Sequence, residues 1–388
     1  MKFSVLLPTR NRLELLSRAI ETVRRQDYGN WEIIVSDNFS EEDVAGYIKS
    51  LGDSRIKYFR TDRFIPVTDN WNNALDNSEG DYVIMLGDDD CLMKGYFSFL
   101  SGLIEKFDAP DFAYTSAFLY AYPDVLPSFP DGFLQTYSAR RIFQSASEPF
   151  WLERSEALAF ANDSLNFRVT FDYNMQFSLV SRTLIEKLKR YGPFFQSPYP
   201  DYYASNAMML KAEHILVVPQ PLVTIGISPK SFGCFYFNDA ENDGNKFLNN
   251  IPDKEIADRL REVVLPGTTM NTSWLIAMET LAVNFGAELG IKVNYARYRL
   301  IQILATYDGM LTGKHTVDTY LELRKKMHLS EWLRYDVILL SIKRIAPEKY
   351  HQFLVASRSH PEVHMPKVDG KFKTILDVFE KIDPKLHV

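Results

Sequence analysis

The chain is poor in cysteine. Its two cysteines, Cys91 and Cys234, are too few for a disulfide framework or a cysteine-built zinc site, and they suit a reducing compartment. Long apolar runs are also missing. A membrane-spanning helix needs ~18–20 apolar residues, and the stretch around Val337–Leu340 falls far short. The first eight residues have the look of a weak signal peptide, but Pro8, Arg10, Asn11, Arg12 and Glu14 interrupt them and no small-residue cleavage site follows. The expectation is a soluble cytoplasmic protein. No GxGxxG follows the first apolar run and there is no GxxxxGK[ST], which argues against a dinucleotide-binding domain and a P-loop ATPase. No repeat of fixed period is visible.

What is present is an ordinary globular composition, 46% hydrophobic and 24% charged, in 388 residues. The charge is uneven. Residues 1–253 hold 24 Lys+Arg against 34 Asp+Glu, a balance of −10, whereas residues 254–388 hold 20 against 16, a balance of +4. Two parts with different tasks are expected. A balance of +4 over that length is no nucleic-acid footprint, so nucleic acid is not an expected partner.

The first ninety residues alternate between two hydrophobic periods. Phe3–Leu7, Trp31–Val35, Ile56–Phe59 and Tyr82–Leu86 are short apolar runs that read as buried strands. Between them, Arg12–Arg25 carries Leu13, Leu16, Ile20 and Val23 at helical spacing. Glu41–Leu51 follows as a helix with Ser40 as its N-cap, and Thr68–Asn77 as a shorter one. Strands alternating with helices imply parallel pairing in a three-layer α/β/α sandwich with a mixed, mainly parallel sheet. Ligands of such sheets sit at the carboxyl ends of the strands. Three polar clusters fall there: Pro8-Thr9-Arg10-Asn11-Arg12, Ser36-Asp37-Asn38 and Gly87-Asp88-Asp89-Asp90.

Residues 110–150 are rich in proline and aromatics and read as long loops or short strands. Phe177–Leu188 reads as strand then helix, Ala204–Lys211 as helix, Ile215–Val218 as strand and residues 226–233 (GISPKSFG) as loop. Helical patterns then run over Ser273–Phe285, Tyr295–Tyr307, Val317–Met327, Glu331–Ile345 and Phe372–Ile382. The expected division is a catalytic domain over 1–250, with halves 1–107 and 108–250, and an all-α extension over 251–388.

Three consecutive carboxylates at the end of a buried strand repel one another unless they are solvated or neutralised by a cation. Hard oxygen ligands suit Mg²⁺ or Mn²⁺, which commonly keeps waters and bridges to substrate phosphates. The alternative is a solvated turn. The combination of strand-PTRNR-helix, strand-SDN-x-S and Gly80-Asp81-Tyr82 running into LGDDD resembles family-2 glycosyltransferases of the GT-A fold, over roughly residues 1–235.

That resemblance implies specific roles. Pro8, Thr9, Arg10 and Asn11 match residues lining the nucleobase pocket. Asp37 matches the aspartate that accepts a hydrogen bond from a uracil ring, a role its carboxylate suits. Asp88 falls where a ribose contact is expected. The metal falls to Asp89 or Asp90: a literal Asp-x-Asp spacing selects Asp88 and Asp90, while alignment with the commoner Leu-Asp-x-Asp-Asp selects Asp89. Where many relatives carry an Arg-Asn pair this chain has Trp71 and Asn72, so Asn72 is retained as a donor contact and the arginine is missing; Arg60 or Arg63 are substitutes.

Asp201 in Pro200-Asp201-Tyr202-Tyr203 matches the general base that would take the acceptor proton, though an aspartate there also suits helix capping. Asp172 is the second choice; Glu153, Glu156 and Asp163 are weaker. Lys230 sits in a loop that closes over the donor in relatives. The implied reaction is metal-dependent, inverting transfer from a nucleotide-diphosphate sugar, foremost a UDP-sugar, to a glycan or lipid-linked acceptor in bacterial surface polysaccharide synthesis. The tail is expected to serve as an acceptor-binding or homo-oligomerisation module, or as a peripheral contact at the inner face of the membrane. A non-catalytic sugar-binding scaffold and a nucleotidyltransferase are the alternatives.

Overall fold

A computed structural model describes residues 1–137, 141–168, 174–231, 234–235, 243–244, 254–350 and 367–387. Asp172 and most of the polar stretch up to Pro252 lie outside the described residues. The front half begins β1 (Phe3–Thr9), α1 (Leu13–Arg24), β2 (Trp31–Asp37), α2 (Val44–Leu51), β3 (Ile56–Arg60), α3 (Val67–Asp76) and β4 (Tyr82–Met85). β1 pairs in parallel with β2 on one side and β4 on the other, and β2 pairs in parallel with β3. Such a sheet is covered on both faces, which is why these strands read as continuous apolar runs. α1 buries Leu16, Ala19, Ile20 and Val23 along one stripe. The cap of α2 is Asp43, whose Oδ1 accepts from the Gly46 N–H at 2.8 Å. Ser40, the expected cap, instead receives the Asn11 N–H.

The sheet continues through β5 (Cys91–Leu92), α4 (Tyr96–Lys106), β6 (Phe112–Ala121), β7 (Phe133–Thr136), β8 (Phe150–Trp151), α5 (Arg154–Leu165), β9 (Ser178–Ser181), α6 (Arg182–Leu188), α7 (Pro200–Lys211) and β10 (Ile215–Ile227). Among the described residues its order is β3-β2-β1-β4-β9-β6-β10-β5, with β7 on β6 and β8 on β10. The sheet is mixed, and its longest ladders (β1–β2 and β6–β10) are parallel.

Two expectations need correction. The segment read as loops contains the fully buried ten-residue strand β6, because Pro110 and Pro123 flank Phe112–Ala121 and do not interrupt it. The strand expected to stop at Val218 runs on to Ile227. Register shifts at Val218/Pro221 and Pro221/Val223 absorb the prolines, as bulges do. Gly226 and Ile227 are therefore strand residues, and the loop begins at Ser228.

The tail is helical: Lys254–Leu260, Thr269–Leu289, Tyr295–Thr312, Val317–Lys326, a π-helical turn at Trp332–Val337 running into Ile338–Ile345, and Ile375–Lys381. Its apolar residues do not form one separate core. Trp274, Leu275, Met278, Leu281 and Phe285 of the long helix, and Ile375, Val378 and Phe379 of the last, join the main core. Trp274 Nε1 donates to the Ser164 carbonyl at 3.0 Å. Arg25 reaches Glu380 at 2.8 Å, so the end of the chain folds back onto α1. Leu265, Ile303, Tyr307, Leu323 and Met327 form a smaller second cluster.

Candidate active site

The ends of β1, β4 and β10 and the start of α7 enclose a cavity of about 320 Å³. Pro8, Thr9, Arg10 and Arg12 come from the first strand end, Asp88, Asp89 and Asp90 from the segment after β4, and Gly226 and Ile227 from β10. Tyr199, Asp201 and Tyr202 come from α7 and its approach, and Met270 comes from the long tail helix. Three of the four chain ends fall at the sheet edge where a parallel α/β sheet binds ligands.

The three aspartates are almost dry, at 2%, 6% and 2% exposure; two are paired with one arginine and the third accepts N–H groups. Asp88 Oδ1 pairs with Arg12 Nη1 at 2.6 Å, and its Oδ2 accepts from Thr9 Oγ1 at 2.7 Å. Asp89 Oδ2 pairs with Arg12 Nη2 at 2.6 Å and accepts from Ser228 Oγ at 2.6 Å. Asp90 Oδ1 accepts the Gly226 N–H at 2.8 Å; its Oδ2 accepts the Gly87 N–H at 2.8 Å and the Gln176 amide at 3.0 Å. Burial pushes Asp88 up to about 6, against the pull of Arg12. Burial and the charge of Asp89 push Asp90 up to about 7, against the two backbone N–H groups. Burial works against the Arg12 charge, but Asp88 and Asp89 outweigh it and hold the guanidinium above its usual range.

Packing at this corner leaves no room. A Cβ on Gly226 would stand 2.1 Å from the Asp89 carbonyl oxygen, so only glycine lets β10 lie against the aspartates. The need at Gly226 is for close approach, since no positive φ is recorded there.

The other site candidates divide between cavity and support. Pro8, Thr9 and Arg10 line the cavity; the Arg10 guanidinium lies 4.0 Å over the Phe64 ring. Asn11, at φ 53°, ties two loops, receiving the Glu41 N–H at 2.7 Å. Asp37 is fully buried behind Asn38, where it receives the Ser40 N–H at 2.9 Å and the Tyr58 hydroxyl at 2.7 Å. Asn72 clasps the backbone of Phe195, donating to its carbonyl at 2.8 Å and accepting its N–H at 3.1 Å, which anchors the approach to α7. Trp71 and Asn70 face the cavity. Lys230 Nζ donates to the Asn11 carbonyl at 3.1 Å and so links the loop after β10 to the loop after β1. Arg60 is turned away, donating to the Ser40 carbonyl at 2.9 Å.

Asp201 sits in the first turn of α7, after Pro200, with Tyr199 as the N-cap. Its Oδ1 accepts the Tyr202 N–H at 3.1 Å. Burial pushes it up to about 7, a value that keeps a carboxyl poised near neutrality. The wall around it is aromatic: Tyr199 stacks on Tyr202 at 5.3 Å, and Tyr202 lies 4.4 Å from Trp274 of the tail helix.

Among the described residues no three His, Cys, Asp or Glu side chains form a cage for a metal ion. A divalent cation that keeps waters and substrate oxygens needs only one or two carboxylates. Asp89 meets that minimum, as it lines the cavity and its Oδ1 has no hydrogen bond among the described residues. Both Asp90 oxygens are taken by backbone N–H groups, so the residues present fit a metal at Asp89 better than at Asp90.

Arg12, Gln176, Gly226 and Ser228 were not singled out by sequence reasoning. Arg12 was within reach of it, because three adjacent acids require a cation and Arg12 shares the PTRNR segment. The other three depend on the end of β10 and the approach to β9 lying against the segment after β4, and no local pattern encodes that.

Residues 4–188 match the family described as Glycosyl transferase family 2. The match covers just under half of the chain. Around the matched segment the fold is a mixed, mainly parallel α/β sheet followed by a helical C-terminal region. The matched segment stops short of Asp201, Gly226 and Ser228, which the fold delivers from beyond it. Over 102 residues the chain is 42% identical to the GalNAc(5)-diNAcBac-PP-undecaprenol beta-1,3-glucosyltransferase of Campylobacter jejuni, covering 26% of this chain and 33% of that protein. The chain thus spans only about a third of that relative's length. It is 24% identical over 241 residues to the UDP-Glc:alpha-D-GlcNAc-diphosphoundecaprenol beta-1,3-glucosyltransferase WfgD of Escherichia coli, covering 53% of this chain and 92% of that one. Among solved structures, Staphylococcus aureus TarS (residues 1–349) in complex with UDP-GlcNAc is similar with a TM-score of 0.45 and 16% identity, covering 79% of this chain and 80% of that chain.

Proposed function

We propose that this chain transfers a hexosyl or N-acetylhexosaminyl group, with inversion, from a UDP-sugar to a sugar carried on a lipid diphosphate. The observation that carries the reading is one cavity holding a neutralised aspartate cluster and, on a different element, a lone carboxyl poised near neutrality. The relatives' names supply the substrate classes, a UDP-glucose donor in one and undecaprenol-diphosphate acceptors in both.

Asp201 takes the proton from the acceptor hydroxyl as its oxygen bonds to the anomeric carbon. The bond from that carbon to the diphosphate oxygen breaks, and UDP leaves. Asp88, which Thr9 holds through its Oδ2, serves as the contact to the donor ribose. Arg10 and Pro8 border the base side of the cavity, and Asp37 shapes that side from behind through Asn38. A Mn²⁺ or Mg²⁺ ion held at Asp89, when bound, would neutralise charge building on the departing diphosphate. Tyr199, Tyr202 and Met270 form an apolar wall beside Asp201 suited to the face of an acceptor sugar. Through Met270 the helical tail reaches the acceptor side.

No helix among the described residues is long and apolar enough to cross a membrane. A lipid-linked acceptor calls for contact at the cytoplasmic membrane face. Exposed Leu329, Leu333 and Ile345, with Arg334, Lys343 and Arg344 nearby in sequence, are the tail's residues for it. The test is incubation of radiolabelled UDP-sugars with synthetic polyprenyl-diphosphate-linked sugars and Mn²⁺. A glycosylated lipid product is expected. Failure of every donor to bind or react would remove the assignment.

A further inference from the structure

The cavity holds a cation of the protein's own. The Arg12 guanidinium forks between Asp88 and Asp89 at 2.6 Å to each, and its Nη2 also donates to Ser228 Oγ at 2.6 Å. Its side chain is only 11% exposed, so these pairs are scarcely screened by solvent. Arg12 Nε is buried with no hydrogen-bond partner among the described residues. An unsatisfied buried donor is costly, and a planar fork with a spare N–H is the group best matched to phosphate oxygens. The oxygen of Asp89 open to a metal belongs to the same carboxylate that Arg12 already grips, so a divalent ion arriving alone meets a positive charge at close range.

Resting on the reading of the site as a UDP-sugar donor pocket, we propose that Arg12 couples diphosphate and metal binding. In the nucleotide-free protein Arg12 occupies Asp88 and Asp89 and keeps divalent cations out. The donor diphosphate draws its guanidinium away and satisfies Nε, and Asp89 then binds the metal more tightly. Arg12 thereby supplies the donor-facing arginine that is missing where Trp71 stands. Two negative partners, the aspartate pair and the diphosphate, compete for one mobile cation, so metal binding and diphosphate binding each strengthen the other.

The test is Mn²⁺ titration followed by the paramagnetic resonance of free Mn²⁺, on the full chain, without nucleotide and with saturating uridine or UDP. Without nucleotide, Arg12→Met is expected to bind Mn²⁺ about tenfold or more tightly than the unaltered protein. UDP should tighten Mn²⁺ binding strongly in the unaltered protein and much less in Arg12→Met, and uridine, lacking phosphate, should change neither. Arg12→Lys keeps a charge but not the fork, and should fall between; it serves if Arg12→Met does not fold. Equal or weaker Mn²⁺ binding by nucleotide-free Arg12→Met, or by Arg12→Lys in its place, overturns the coupling while leaving the donor site intact. No UDP binding by the unaltered protein at any Mn²⁺ concentration overturns the coupling and the donor site together.

Discussion

The two walls of the cavity are built on opposite principles. On the wall made by β1, the segment after β4 and the end of β10, every carboxylate is gripped: Arg12 holds two, and backbone N–H groups hold the third. On the wall made by α7 and the tail helix, the acid Asp201 receives, among the described residues, only backbone N–H groups of its own turn and is otherwise set among aromatic rings. The first arrangement fixes charge in place to meet another charge. The second leaves a proton acceptor under-stabilised, which raises its basicity. The same residue type thus does two jobs because its surroundings differ.

Disruption of the gripped wall should have the largest effect. Asp89→Asn should cut transfer by about 10²–10⁴-fold and weaken UDP binding in the presence of Mn²⁺, measured by calorimetry with turnover. Unchanged UDP binding would show that the two walls do not divide donor from acceptor. Gly226→Ala comes next. The added methyl meets the Asp89 carbonyl, and by the usual cost of overpacking it should destabilise the protein by about 1–3 kcal/mol, seen as a lower urea midpoint together with impaired UDP binding.

On the aromatic wall, Tyr202→Ala should raise the acceptor KM by about tenfold and leave the UDP affinity within about twofold, since a lost ring contact is worth about 0.5–1.5 kcal/mol. A change confined to the donor would invert the assignment of the walls. The smallest effect is in pH. Asp201 binds its proton more tightly folded, at about 7, than a free aspartate near 3.8. Its contribution to stability is therefore full below the lower value and is lost as pH rises through about 7. Asp201→Asn should flatten that part of the stability–pH curve, measured by thermal melting from pH 4 to 8.

The contrast between the walls also separates what the sequence disclosed from what it withheld. Strands β1 to β4, the PTRNR segment and the triple aspartate were legible because each is local: an apolar run, a turn and a polar cluster in fixed order. Asp201 was legible only through family resemblance. The strand Phe112–Ala121 was hidden by the prolines that bound it. The partners of the aspartates on β10 were hidden because they arise from antiparallel pairing of β10 with β5, segments more than a hundred residues apart. The link from the tail to the cavity through Met270 and Trp274 was hidden for the same reason, as burial of a helix face does not say what it is buried against.

The central claim is that donor binding and proton abstraction belong to different walls, and one variant tests it most directly. Asp201→Asn, assayed in parallel for UDP and Mn²⁺ affinity and for transfer to a lipid-linked acceptor, should keep both affinities and lose about 10²–10⁴-fold in transfer. Transfer at the unaltered rate, or loss of UDP binding alongside transfer, would contradict the division.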